Sequence, residues 1–257
     1  MTYRPDPGLS VAHRVRKPDR KKGRSMPMSS GKTVLILGAT GNTGAHAVKH
    51  ALAADANVHV FVRNPDKLPD GVKDRVHVIV GDLADPTAVA AAVTATSPDA
   101  VIICSGHAPK APIAPLNAIA VAAIVKALGE AGRLKDCFVV YLSGLFSNPD
   151  DDPLPWYAKT LRAVMVPMFG YQASLKDNLA VTRYLLGEGR KSGVPFTIVR
   201  MGYPVEAASK GTIIPVGSNP RGAVTFDDMG LFLVKLAHGA HRAEALGKAI
   251  KPFYAIP

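Results

Sequence analysis

Three glycines spaced three residues apart, Gly38, Gly41 and Gly44, separate an apolar run from an alanine-rich helical pattern in VLILGATGNTGAHAVKHAL, Val34 to Leu52. A glycine-rich turn between a strand and a helix reverses the chain tightly and leaves backbone N–H groups facing outward, where an anion can meet them. Gly38 is expected to make the turn, Gly41 to admit a diphosphate without a Cβ in its way, and Gly44 to let the helix lie close on the sheet. Thr40, Asn42 and Thr43 are small polar residues placed to add hydrogen bonds. A glycine triplet alone is weak evidence. Here strand, turn and helix come in the order a dinucleotide fingerprint requires.

The rest of the chain repeats that alternation. Strands are expected at 33–38, 57–62, 75–82, 99–106, 137–144 and 195–202, each a short apolar run. Helices are expected from Thr43 to Ala54, after Asp85 and Pro86 in DPTAVAAAV, over LNAIAVAAIVKALGEAG, from Ser174 to Lys191, and over FDDMGLFLVKLAHG. The segment 107–115 is too rich in proline to be helical, 145–170 reads as irregular, and GTIIPVG reads as a short extended piece. Near-continuous apolar strands alternating with helices predict an α/β fold, a Rossmann-like doubly wound parallel sheet in a single domain over residues 31–257. No internal repeat is visible.

The end of the second strand decides which dinucleotide the turn would take. A site for NAD usually carries an acid there, accepting from the adenosine ribose hydroxyls. This chain reads FVRNPDKL, with Arg63 in place and no acid until Asp66. A guanidinium makes a forked contact with a 2′-phosphate. One charge-assisted hydrogen bond is worth about 1.5–3 kcal/mol, so Arg63 predicts a preference for NADP on the order of ten- to a hundredfold. Asp82 and Leu83 follow strand three, where a short carboxylate could accept from the adenine amine. Cys104, Ser105 and Gly106 follow strand four, where small residues let a cofactor cross the sheet edge.

GATGNTG, VRNP, GDLAD, the SG after strand five and SGVPFTIVRMG occur in that order. Together they resemble the atypical short-chain dehydrogenase/reductase group, in its NmrA-like and flavin reductase/biliverdin-IXβ reductase branches, over nearly all of residues 32–250. The resemblance implies a Rossmann sheet, bound NADP, and a substrate pocket at the carboxyl ends of the strands, enclosed by a small C-terminal portion. Many members use a Tyr-x-x-x-Lys pair, in which the lysine lowers the tyrosine pKa and the phenol passes a proton. The lysine is best matched by Lys176 in YQASLKDNLAVTRYL, but four residues before it stands Gln172. Tyr171 is one position off and projects from a different face. Tyr157 and Lys159 are only two apart and share no helix face.

A tyrosine-centred alcohol dehydrogenase or sugar epimerase is therefore disfavoured. Flavin and biliverdin reductases of the group also lack the pair: hydride passes directly to an electron-poor conjugated ring, and solvent supplies the proton. The expectation is an NADPH-dependent reductase of a planar conjugated molecule such as a flavin, quinone or linear tetrapyrrole. By position Ser143 is expected near the nicotinamide. Lys176 is expected to hold its ribose or an anionic substrate, Tyr203 in RMGYPVE to offer a flat face to a ligand, and Tyr171 to be the nearest phenol. Ser143, Lys176 and Tyr171 are the candidate catalytic residues, and the pocket is expected from about 145–171 and 200–225. Two other readings stand: a non-catalytic NADP-binding redox sensor or scaffold of the NmrA-like kind, and a dehydrogenase or isomerase of a biosynthetic pathway.

Charge and cysteine usage narrow the setting. The 257 residues carry a net charge of +11; residues 1–30 hold eight Lys/Arg against two Asp, and the remainder 23 against 18. RVRKPDRKKGR has no apolar periodicity, so 1–30 is expected to be a disordered basic tail without the apolar core of a secretory signal. It is read as a tail for a nucleic acid or a membrane surface, or equally as sequence upstream of a start at Met26 or Met28. No nucleic acid is expected on the folded domain, which is expected as a monomer or dimer. A hydrophobic fraction of 47% supplies a core, and no run is long enough to span a membrane. Cys104 and Cys137 read as two buried thiols of a reducing, cytoplasmic compartment. His46, His50 and His107 show no ligand spacing, and no metal site is read.

Overall fold

The computed structural model describes residues 31–148, 153–202, 204–216 and 223–254. The expected basic tail over 1–30 therefore lies outside the described residues.

Six parallel strands form most of an eight-stranded sheet: β1 (Thr33–Leu37), β2 (Asn57–Val62), β3 (His77–Val80), β4 (Ala100–Ile103), β5 (Phe138–Gly144) and β6 (Phe196–Met201). Their order is β3-β2-β1-β4-β5-β6, so the connection reverses direction between β1 and β4. In an open α/β sheet that switch point, at the carboxyl ends of the strands, is where ligands bind. The register is regular: Leu37 lies beside Phe61 on one flank and Ile103 on the other.

Helices cover both faces because the strands are apolar on both. Val34 and Ile36 of β1, Ala100 and Ile102 of β4, and Val140 and Leu142 of β5 point into one core. That core is closed by α1 (Asn42–Ala53) and α7 (Phe226–Ala237). Leu35, Leu37, Val101, Ile103, Val139 and Tyr141 point the other way, beneath α2 (Pro86–Thr96), α3 (Leu116–Glu130) and α5 (Gln172–Tyr184). Each fully buried Leu or Ile contributes roughly 1.5–3 kcal/mol, which is why the strands tolerate no charge in their centres.

Local signals set the helix ends. Asp85 caps α2, accepting from the amides of Thr87 and Ala88 at 2.9 and 3.2 Å, with Pro86 in the first turn. Such a cap is worth about 1 kcal/mol. Gly132, at φ +67°, follows the last turn of α3, a conformation that costs a residue with a Cβ. Thr225 caps α7 through the Asp228 amide, and the Asp228 carboxylate accepts from Ser209, Lys210 N–H, Thr225 and Tyr254. These donors hold its carboxyl below the usual carboxylate range despite its burial.

Three segments differ from expectation. The stretch 145–170, read as irregular, contains α4 (Trp156–Phe169), begun after Pro155 and ended by Gly170 at φ +72°. Pro167 sits inside this helix, near its end. The helix expected to run from Ser174 to Lys191 is α5, which begins at Gln172, followed by a π turn over Leu185–Gly189 and a short α6 (Arg190–Ser192). The chain also returns to the sheet: β10 (Lys248–Tyr254) pairs parallel with β6, and β8 (Ile213–Val216) pairs antiparallel with β10 at the sheet edge. An edge position is where Pro215 can sit, since one side of the strand needs no donor. The short β7 (Pro204–Val205) and β9 (Val224–Thr225) make a separate two-stranded pair, and α8 (Arg242–Ala245) precedes β10.

Candidate cofactor and active site

The glycine turn is built by close contacts that only glycine permits. Gly38 has φ +84°, and a Cβ there would lie 2.5 Å from the Ser105 nitrogen. A Cβ on Gly44 would lie 2.1 Å from the Gly38 carbonyl oxygen. So Gly38 packs β1 against the end of β4, and Gly44 seats α1 on the turn. Gly41 is different. A Cβ there would meet only the Gly38 oxygen, at 3.4 Å, so the space in front of it is open.

Gly41 is also the N-cap of α1, and no side chain caps it. The first-turn amides of a helix have no intrahelical acceptor, and the helix dipole adds about half a positive charge there. The cradle fits a diphosphate: open room at one glycine, amides without a cap beside it, and tight packing at the other two. Among these residues Thr43 is buried, whereas Thr40 and Asn42 are exposed.

Parallel pairing brings the other strand ends to the same edge. Because Leu37 pairs with Phe61, Arg63 emerges from β2 beside the residues just after Gly38, and it is exposed. Asn64 caps the turn behind it through the Asp66 amide. Asp82 lies past β3, where its carboxylate accepts from the Ala84 amide at 2.9 Å, so it shapes its own turn. Leu83 packs beneath α2 with the second core. Cys104 continues the ladder, its amide donating to Leu37 O, and burial pushes its thiol up to about 12. Burial does the same to Cys137, also to about 12, so both thiols stay protonated at neutral pH.

Beyond β4 the structure shows a polar network that no local sequence pattern signals. The Asp177 carboxylate of α5 is fully buried and accepts from the amides of Asn117 and Ala118, both at 3.0 Å. It also accepts from Asn117 Nδ2 at 2.9 Å and faces His107 Nε2 at 3.0 Å. Asn117 in turn holds Ser105, through the Ser105 hydroxyl and its carbonyl. A side chain of α5 thus caps α3 from across space and fixes the loop after β4. These partners lie 60 and 70 residues apart in sequence, which hides them from any local reading.

The expected catalytic residues are only partly brought together. Ser143, the penultimate residue of β5, is buried and shares a hydrogen bond of 2.6 Å with Ser147, which donates to Gly144 O. Asn178 packs against Gly144, so the middle of α5 lies over that strand end. Lys176 is exposed on α5, and Tyr171 is exposed at its N-cap. Gln172, not a tyrosine, occupies the first residue of the helix. The other nearby phenol, Tyr141, is buried and donates to Asn178 Oδ1 at 2.5 Å. Burial, with the Asp177 charge behind it, pushes its pKa well above the usual value. Gly106 lies exposed beyond Ser105, and Tyr203 lies outside the described residues, as do 149–152 and 217–222 of the expected pocket segments.

Two clefts lie away from this edge. One of about 260 Å³, lined by Lys32, Asp99, Phe138 and Arg242, sits at the amino ends of the strands. The other, of about 210 Å³, lies between the 209–213 segment and α7. Neither touches the glycine turn. Among the described residues no cluster of three or more His, Cys, Asp or Glu could hold a metal, and no helix is long and apolar enough to cross a membrane.

Comparison with solved structures bears on the fold. ChuY, an anaerobillin reductase from Escherichia coli O157:H7, superposes with a TM-score of 0.64 at 21% identity, covering 88% of this chain and 99% of its own. A short-chain dehydrogenase/reductase from Veillonella parvula gives 0.63 at 20%, covering 87% and 94%. The oxidoreductase ylbE from Lactococcus lactis gives 0.64 at 20%, covering 87% and 91%. At these identities the likeness establishes the Rossmann-like architecture. The sequence model of NAD(P)H-binding proteins matches residues 38–239, from the first glycine of the turn to the end of α7. The chain belongs to the NAD(P)H-binding family.

Proposed function

We propose that this chain is an NADPH-dependent reductase that delivers hydride to a planar, conjugated small molecule: a flavin, quinone or linear tetrapyrrole. The observation that carries the reading is the missing proton donor. Gln172 stands where a phenol would pair with Lys176, and the buried Tyr141 phenol is held by Asn178 with its pKa raised. A reduction that needs no enzyme phenol, into a ring that accepts hydride and draws its proton from solvent, suits such a site.

NADPH, when bound, supplies the hydride. The rest falls to the chain. The amides of Asn42, Thr43 and Gly44 hold the diphosphate at the α1 N-terminus, and Arg63 holds the 2′-phosphate. Ser143, at the end of β5, orients the nicotinamide end, and Lys176 lies on the helix above it to hold a ribose or an anionic acceptor. Asp177, through Asn117 and His107, keeps the loop after β4 in place, so positioning in this site rests on a fixed frame. The similar ChuY is named for reducing anaerobillin, a bilin by its name, which agrees with the tetrapyrrole arm of this proposal.

Steady-state oxidation of NADPH with FMN, biliverdin and a short-chain quinone tests the reading. Turnover with at least one acceptor, weakened when NADH replaces NADPH, is expected. Tight NADPH binding with no turnover on any conjugated acceptor would overturn it and favour the redox-sensor reading.

A further inference from the structure

Helix α4 is amphipathic in the wrong sense for a helix that packs on its own domain. Tyr157, Leu161, Val164 and Met168 are 60, 50, 57 and 59% exposed, and they recur at intervals of four, three and four. At 3.6 residues per turn that spacing puts them on one line. Val166, the buried residue of the helix, lies on the opposite side, next to Arg162, whose guanidinium reaches back to Phe146 O. The apolar line therefore points away from the protein, and the two charged residues of the helix, Lys159 and Arg162, lie on the flank that faces back. Trp156, 80% exposed, stands at one end, and Phe169 is exposed at the other.

We infer that α4 lies on an anionic lipid leaflet, its apolar line among the acyl chains and the exposed Lys159 and Lys110 reaching to the level of the phosphates. Charge and area decide between this occupant and a second copy of the chain. The exposed lysines at hand are Lys159 and Lys110, whose backbone bonds the Gly170 carbonyl at the end of α4. The chain as a whole carries +11. A 14-residue helix is about 21 Å long and about 10 Å wide, so pairing two of them along this line would cover roughly 200 Å² on each copy. A stable dimer needs about 800 Å² per partner. A lipid surface has no such threshold: a shallow apolar helix gains by area, and nearby cations add attraction to anionic headgroups. An aromatic residue at each end suits the boundary between headgroups and chains. This inference stands apart from the reductase reading and needs no turnover.

The chain's single tryptophan, Trp156, is a built-in probe. Full-length protein is mixed with vesicles of phosphatidylcholine alone, or of phosphatidylcholine with phosphatidylserine, and read by tryptophan emission and by sedimentation. A blue shift and co-sedimentation with the phosphatidylserine vesicles, both reduced by salt, are expected. The double variant Leu161→Gln, Val164→Gln removes exposed apolar surface, so it should keep its melting temperature and its NADPH binding while its partitioning falls about tenfold or more. The sequence also places Asp150, Asp151 and Asp152 just before the helix; changing all three to Asn should strengthen binding. Absence of a shift with either vesicle overturns the inference, as does equal binding to both kinds. A concentration-dependent dimer that the same double variant dissociates assigns the face to a second copy instead.

Discussion

Replacing Gly41 by alanine separates the ligand-facing glycine from the two that serve packing. The position has φ −86° and ψ 164°, extended values any residue adopts, and the added Cβ would meet only the Gly38 oxygen at 3.4 Å. Alanine narrows the unfolded ensemble, worth about 0.4–1 kcal/mol, and is a poorer N-cap than glycine by a similar amount. The two effects offset, so stability should stay within about 1 kcal/mol and the melting temperature within about 4 °C. The methyl would instead stand where the diphosphate approaches. Overpacking of that size costs about 1–3 kcal/mol, so cofactor affinity should fall about 5- to 150-fold. Gly44→Ala is the opposite case. Its Cβ would lie 2.1 Å from the Gly38 oxygen, a main-chain atom that cannot swing aside. About 3 kcal/mol or more of stability should go, lowering the melting temperature by roughly 6–12 °C. Thermal melts with and without NADPH, together with isothermal titration, read both variants. If Gly41→Ala binds NADPH as the parent does, no phosphate passes that glycine and the assignment of the turn is wrong.

Asp177→Ala leaves the Asn117 and Ala118 amides, the Asn117 side chain and His107 without their common acceptor. At about 1 kcal/mol for each buried donor, roughly 4 kcal/mol is lost, visible as a lower urea midpoint. A loss below about 1 kcal/mol would mean that water enters and replaces the carboxylate. The stacked pair His59 and His77, register partners on β2 and β3, makes the fold sensitive to mild acid. Burial, then the neighbouring His77, lowers the His59 pKa from 6.5. The folded state thus resists a proton that the unfolded chain accepts, so stability holds above pH 6.5 and declines as pH falls below it, towards the folded pKa. Denaturant curves from neutral to mildly acidic pH should show this slope in the parent and a shallower one in His59→Gln. An unchanged slope would place the sensitivity elsewhere.

What the sequence revealed depended on the range over which each signal acts. The glycine turn, the Asp85 cap and the six apolar strands are local patterns with local physical causes, and they stand where they were expected. Helix α4 was hidden because Pro153, Pro155 and Pro167 crowd its ends and because its apolar line faces outward. A periodicity that ends in no core looks like no periodicity. Strand β10 carries Lys248, Lys251 and Pro252 within seven residues and owes its place to pairing with β6 rather than to its own propensity. At the site, residues adjacent to strand ends were legible from the topology that parallel strands enforce. The buried Asp177 network was not, since it joins three elements through side chains that individually read as a loop histidine, a helix-start asparagine and a surface aspartate.

The measurement that reaches furthest is calorimetric titration of the folded chain with NADP and with NAD, repeated on Arg63→Ala. The exposed guanidinium at the end of β2 should make NADP bind tighter by about ten- to a hundredfold, and its removal should abolish that preference while leaving NAD affinity within about twofold. Equal affinities that the substitution does not alter, or no heat with either dinucleotide, would contradict the account.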